Sequence, residues 1–180
     1  RLDLFVTRYL AWDIAHNILC GTPFNAYCRP DKFGPVANVL FHNEGHGRFR
    51  DVSAETGIAA VKGKALGVAF ADYDADGFPD IFVANDANPN FLFVNQAGSG
   101  FSEHAAILGC AVSSEGRAQA NMGVAIGDFD RNRYLDIFVT HFEGEWNTLY
   151  RNMGPQGFQD VSGRMGLAQP PLSLLGFGTV

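Results

Sequence analysis

The chain contains no apolar run long enough to span a bilayer. Charged residues make up only 18% of its 180 positions, and they form no basic stripe to track a phosphate backbone, so nucleic-acid binding is excluded. The five histidines, His16, His42, His46, His104 and His141, include no HExxH pair. No GxSxG, Walker A or complete GxGxxG appears either, so the sequence carries no nucleophile or phosphate-cradle constellation. Cysteine is scarce, with three in all, and no other Cys or His stands at zinc-ligand spacing beside them. An initiator methionine and a leader are also missing, but their absence carries no information if the chain is a piece of a longer mature protein. Such a piece is expected, because both ends fall inside a repeat.

What is present is apolar and punctuated. Hydrophobic residues are 47% of the chain, Phe alone counts 16 and Gly 21. That mix suits short strands joined by tight turns and argues against disorder. The formal charge of −6 sits largely in two loops that hold seven carboxylates, and two divalent cations there would bring it to −2.

Those loops lie 56 positions apart in two copies of one pattern. The first copy runs Gly67-Val-Ala-Phe-Ala-Asp72-Tyr-Asp74-Ala-Asp76-Gly77-Phe78-Pro-Asp80-Ile-Phe-Val83. The second runs Gly123-Val-Ala-Ile-Gly-Asp128-Phe-Asp130-Arg-Asn132-Arg133-Tyr134-Leu-Asp136-Ile-Phe-Val139. Each is a strand-like run, an oxygen-rich loop and another strand-like run. Side-chain oxygens at loop positions 1, 3, 5 and 9 can converge on one cation, and the carbonyls of Phe78 and Tyr134 at position 7 can add to them. All-oxygen, multi-carboxylate ligation in a flexible loop favours Ca²⁺ over Mg²⁺ or zinc. Gly77 permits the positive φ of the sharp turn. The second loop has a neutral ligand, Asn132, and Arg133 in place of glycine, so weaker binding is expected there. A solvated acidic turn with no ion is the alternative for either loop. An EF-hand is excluded, because no Glu stands at position 12 and strands flank both loops.

A second sub-motif confirms the period. Asn38-Val-Leu-Phe-His-Asn43, Asn90-Phe-Leu-Phe-Val-Asn95 and Asn147-Thr-Leu-Tyr-Arg-Asn152 share one pattern. Eleven residues after each first Asn comes an aromatic, Phe49, Phe101 or Phe158, and eight later a glycine, Gly57, Gly109 or Gly166. The middle unit reads as four strands at 67–71, 81–84, 91–94 and 101–104. Four strands in about 55 residues predict an all-β protein of four-stranded antiparallel β-propeller blades. The expected division is a partial blade at 1–58, blades at 59–109 and 110–167, and the first strand of a further blade at 168–180. The Asp51–Gly57 linker is expected to hold one helical turn capped by Ser53.

The first unit carries an insertion at about 12–35, rich in Gly and Pro. It contains Cys20 and Cys28, for which a disulfide bracing the insertion is expected, two free thiols being the alternative. Cys110 reads as a small buried apolar residue. The insertion lies on a propeller face, where loops often carry recognition.

Two resemblances follow from these residues. The loops and their flanks resemble FG-GAP/VCBS repeats, the calcium-loop propeller blades also found in integrin alpha subunits. Cys20-Gly-Thr-Pro, Tyr27-Cys28-x-Pro30, Asn38-x-Leu-Phe-x-Asn, Phe49-x-Asp-Val-Ser and Gly116-Arg-Ala-Gln-Ala-x-Met-Gly resemble the ASPIC/UnbV (cartilage acidic protein-like) group. The resemblance implies a secreted or cell-surface propeller, commonly seven-bladed. It places calcium between the first two strands of a blade, on Asp72, Asp74, Asp76 and Asp80 and on Asp128, Asp130, Asn132 and Asp136.

Two function classes remain open. One is a calcium-binding extracellular module with a structural or adhesive role toward protein or glycan. The other is a propeller-scaffold lyase or glycoside hydrolase with its site on the channel face or on blades outside this chain. Glu143, Glu145 and Trp146, an acidic pair beside an aromatic, are the one local hint of the second; a solvated loop with a packing Trp is the plainer reading. Residues 1–7 and 173–180 look like strands deprived of neighbours, so their expected partners are further blades of the same protein or copies of this chain, in an oligomer or fibre.

Overall fold

The computed structural model describes residues 1–23, 26–168 and 173–179. Among the described residues, eleven strands form three antiparallel sheets in chain order, side by side. The first sheet is β1 (Leu4–Val6), β2 (Val39–Gly45) and β3 (Arg48–Asp51). The second is the meander β4 (Ala65–Ala71), β5 (Asp80–Asn85), β6 (Phe91–Asn95) and β7 (Phe101–Glu103). The third repeats it with β8 (Val124–Gly127), β9 (Asp136–Val139), β10 (Thr148–Asn152) and β11 (Phe158–Asp160). The first sheet has the last three strands of this plan. A four-residue helix, α1 (Ala105–Leu108), follows β7. The fold is all-β, with the sheets stacked as propeller blades. No helix among the described residues is long and apolar enough to cross a membrane.

Strand alternation builds the core. In β5 and β6, Ile81, Val83, Phe91 and Phe93 pack toward the first sheet, against Leu40, Val52 and Ile58. Phe82, Ala84 and Leu92 point the other way, against Ile137, Val139 and Tyr150 of the third. Every residue of β5 is therefore buried, because the middle sheet is covered on both faces while its neighbours are covered on one. Cys110 is fully buried in the second of these clusters.

The sheets meet at a glycine joint. Gly57 has φ +86, and a Cβ on it would lie 2.5 Å from the Phe101 carbonyl oxygen of the next sheet. Gly109 (φ +83) repeats this against the Phe158 carbonyl, also at 2.5 Å. The third copy, Gly166 (φ +73), has nothing within 4 Å among the described residues. The spacing of these glycines in the sequence is thus the spacing of the joints between sheets.

A second device closes each sheet. Ser53 is not a helix cap. Its hydroxyl accepts Leu40 N–H at 2.9 Å, while Asp51 accepts the Ser53 N–H and Oγ at 2.9 and 2.6 Å. One turn does close within the linker, with Thr56 N–H on Val52 O at 2.9 Å, but the Ser53 hydroxyl is drawn to a strand N–H that the ladder leaves unpaired and does not cap it; a further turn follows at Ile58–Ala60. Ser162 and Asp160 repeat the arrangement at Leu149. The middle sheet has Ala105 where the others have Ser, and there the longer Glu103 spans the gap. Its Oε1 accepts Leu92 N–H at 3.1 Å and Ala105 N–H at 2.7 Å.

The insertion is braced by a Cys20–Cys28 disulfide (S–S 2.07 Å) and held by Lys64 Nζ, which donates to Pro30 O at 2.8 Å; just before it, Tyr9 Oη donates to Asp86. At the other end, Gly176 N–H donates to His141 O at 3.2 Å, and the Thr140 hydroxyl donates to Gly176 O at 2.7 Å. Residues 173–179 thus run beside the third sheet without forming a strand ladder. Positions 169–172 and 180 of the expected strand lie outside the described residues.

Candidate metal centres

Two loops, 72–79 between β4 and β5 and 128–135 between β8 and β9, have the same internal wiring. Asp72 accepts Asp76 N–H at 3.0 Å and Gly77 N–H at 2.9 Å, one on each oxygen. Asp74 also accepts Asp76 N–H, and Asp76 accepts Phe78 N–H at 2.8 Å. In the second loop Asp128 accepts Asn132 and Arg133 N–H, Asp130 accepts Asn132 N–H, and Asn132 accepts Tyr134 N–H. Short acidic side chains that bond their own backbone a few residues on bend each loop into a cup. The bend needs left-handed residues, Ala75 (φ 63) and Gly77 (φ 92) in one loop, Arg131 (φ 62) and Arg133 (φ 75) in the other. At Gly77 a Cβ would meet nothing, which is why Arg133 fits the same place at only the cost of its backbone strain, about 1 kcal/mol.

The ninth position anchors each cup to the sheet. Asp80 accepts Tyr73 N–H at 3.0 Å on one oxygen and Asn95 N–H of β6 at 2.8 Å on the other. Asp136 does the same with Phe129 and Asn152, at 3.0 and 2.7 Å. Asp3, just before β1, accepts Asn43 N–H at 2.8 Å, so the corresponding Asn of each sheet is placed by such a carboxylate.

Each cup gathers three carboxylates. Oxygens of Asp72, Asp74 and Asp80 lie within 4.8 Å of one another, and those of Asp128, Asp130 and Asp136 do likewise. Asp76 and Asn132 stand beside these groups, each with its Oδ1 on a backbone N–H; Asn132 Nδ2 also donates to Asn152 O. Phe78 is partly exposed, and Tyr134 lies over Gly154. Burial pushes the Asp80 carboxyl up to about 6, with Asp74 and Asp76 adding repulsion against the pull of two N–H donors. Burial likewise raises Asp74 and Asp136, each with like-charged neighbours in its own loop. Carboxylates held this way are an oxygen-only donor set with surplus negative charge, the chemistry that a hard divalent cation fits.

The loops differ in one respect that the sequence pattern does not show. Arg151 of β10 donates through Nε to Asp130. Val94 holds the matching place in β6. Among the described residues no ion pair reaches Asp72, Asp74, Asp76 or Asp80.

The acidic pair outside the loops has a different environment. Glu143 and Glu145 line a cavity of about 620 Å³ with Tyr9, Asp86, Phe142 and Phe177. Glu145 accepts Ala120 N–H at 2.8 Å, and Arg117 lies 5.9 Å over the Trp146 ring. One Glu145 oxygen thus holds the loop that enters the third sheet. His42 lies 3.0 Å from Asp3, and buried His141 bonds Thr148 at 2.9 Å.

Comparison with known proteins finds the same repeat. Residues 27–83 and 72–139 each match the model of the FG-GAP-like repeat. Over 137 residues, 74% of the chain, it is 29% identical to cartilage acidic protein 1 of Mus musculus and 30% identical to that of Homo sapiens. It is 33% identical to the Xenopus tropicalis protein over 104 residues, 58% of the chain. The chain spans 20% of the mouse and human proteins and 16% of the Xenopus one.

Proposed function

The chain belongs to the FG-GAP-like repeat family, and from that premise we propose that it is a calcium-binding extracellular module whose blades serve structure and adhesion. The observation that carries this is the pair of cups, wired alike and each drawing three carboxylates together around one buried Asp. Asp72, Asp74, Asp76 and Asp80 with the Phe78 carbonyl would hold one Ca²⁺. Asp128, Asp130, Asn132 and Asp136 with the Tyr134 carbonyl would hold a second, more weakly. The ion would neutralise carboxylates that otherwise repel, locking each blade's first hairpin. Extracellular placement is supported by the disulfide and by the likeness to cartilage acidic protein 1.

The outer faces support a partner with the shape of another blade: a further unit of the same protein or a second copy. Gly57 and Gly109 each seat a neighbouring carbonyl, and Gly166 presents the same joint beside exposed Met165. Leu4 and Phe49 are exposed on the opposite face. Protein or glycan ligands would meet the insertion, which shows Trp12, Ile14, Leu19 and Tyr27 to solvent.

Isothermal titration with calcium tests the reading. Two binding events are expected, the tighter lost in Asp72→Asn/Asp74→Asn. The absence of any calcium binding, with equal melting in calcium and in chelator, would overturn it.

A further inference from the structure

Strands β2, β6 and β10 carry one corresponding side chain each: His42, Val94 and Arg151. In each case the next residue is the Asn whose N–H goes to the anchoring Asp, so the backbone frame is common to all three. Only the side chain differs. His42 Nδ1 lies 3.0 Å from Asp3. Val94 brings no charge to its cup. Arg151 brings its guanidinium onto Asp130, in a contact that leaves Asp130 20% and Arg151 37% exposed.

Both Asp130 oxygens are therefore engaged. One accepts Asn132 N–H and the other accepts Arg151 Nε. Asp74, at the same place in the first cup, accepts Asp76 N–H and meets no cation among the described residues. The first cup has four carboxylates, counting Asp76, and no internal cation. The second has three, faces Arg151, and carries Arg131 and Arg133 in its own loop.

We propose that Arg151 is the resident counter-ion of the second cup, so that calcium enters there only by displacing the guanidinium from Asp130, and the two cups load at different calcium concentrations. The inference rests on the calcium reading above. With Arg151 in place the second cup keeps its shape at low calcium, because the carboxylates already have a positive partner. The first cup has no such partner and depends on the ion. Release of Arg151 on loading frees a guanidinium at the sheet surface, a local change that calcium would switch on at one blade and not at its neighbour.

The test is calcium titration of the protein and of its Arg151→Val, Arg151→Gln and Arg151→Lys variants, with melting in chelator measured in parallel. Val is the residue the middle sheet already uses at this place, and Gln keeps the length without the charge. Both should tighten the second site about tenfold, the worth of one charge-assisted hydrogen bond, and leave the first unchanged. Both should also melt lower in chelator and gain more on adding calcium. Arg151→Lys should stay within about threefold of the parent, since the charge remains. If the first site binds and neither neutral variant tightens the second, the counter-ion role is wrong while the calcium reading stands. A Lys variant that tightens as much as Val would equally overturn it, because charge would not be the agent. Failure of the first site to bind at all would sink the calcium reading itself.

Discussion

The contribution of Asp80 to stability should depend on pH without calcium and lose that dependence with it. The Asp80 carboxyl is raised from 3.8 to about 6 in the folded chain by burial, with Asp74 and Asp76 nearby. Between those values the ion-free folded chain holds a proton that the unfolded chain has lost. The Asp80 contribution in chelator therefore rises as pH falls from 7 toward 4 and is lost as pH rises through the same window, while buried His141, lowered to about 4, contributes with the opposite sign. Two units at about 1.4 kcal/mol each give about 3 kcal/mol as an upper bound. The Asp80 side chain is only 1% exposed, but the loop over it, Asp74 to Pro79, is open to solvent, and that screening brings the figure to about 1.5 kcal/mol. For a domain of this size the gain corresponds to about 5 °C in Tm. In calcium this dependence disappears. At a hundred times Kd the bound ion adds about 2.7 kcal/mol and holds Asp80 ionised down to about the range where it titrates in the unfolded chain, so acidification through 6 leaves the Asp80 contribution nearly flat. Scanning calorimetry at pH 7, 6 and 5, in chelator and in calcium, separates the cases. Asp80→Asn isolates the share of this group: two parent curves of the same slope, or a chelated Asp80→Asn protein with the parent's own pH response, would refute the argument.

Three further outcomes follow from the packing. Gly109→Ala should cost about 3 kcal/mol in urea unfolding, from left-handed strain plus the clash with the Phe158 carbonyl, whereas Gly166→Ala in the same chain should cost about 1 kcal/mol; a full loss at Gly166 would show that another blade seats on it. Glu103→Asp should cost about 1 kcal/mol, because the shorter carboxylate cannot reach Leu92 N–H. Adding Ala105→Ser, which recreates the Asp-x-Ser clasp of the neighbouring sheets, should restore it, and a double variant no better than the single would show that the clasp is misread. Replacing Cys20 and Cys28 with Ser should speed proteolysis at 12–35 while leaving the melting of the blades unchanged, since the bridge closes a loop within the insertion alone; a fall in the main transition would contradict this.

The features legible in the sequence are those whose physics is local. The cups are closed by bonds spanning two to five residues, Asp72 to Gly77 or Asn132 to Tyr134, so the alternation of Asp and Asn announces them directly. Apolar runs such as Ile81–Ala84 and the recurrent Gly57, Gly109 and Gly166 fix the period for the same reason, and the Cys20–Cys28 pairing joins neighbours within one insertion. The Ser53 cap was misjudged because its better partner, Leu40 N–H, lies thirteen residues back across a strand pair. Likewise Arg151 reads as an ordinary strand residue until register sets it against Asp130, twenty-one positions away. Glu103 takes over a serine's work only because the sheet brings Leu92 to it, and Tyr9 meets Asp86 across two sheets and seventy-seven positions. The sequence by itself determined the repeat, the strands and the two carboxylate loops, because each is written in bonds to near neighbours. Tertiary structure alone decided which cup carries its own cation, which glycines bear a neighbouring sheet and which side chain closes each ladder. Those depend on register and on the packing of one sheet against the next, where a hydrogen bond's partner is chosen by distance in space and not along the chain.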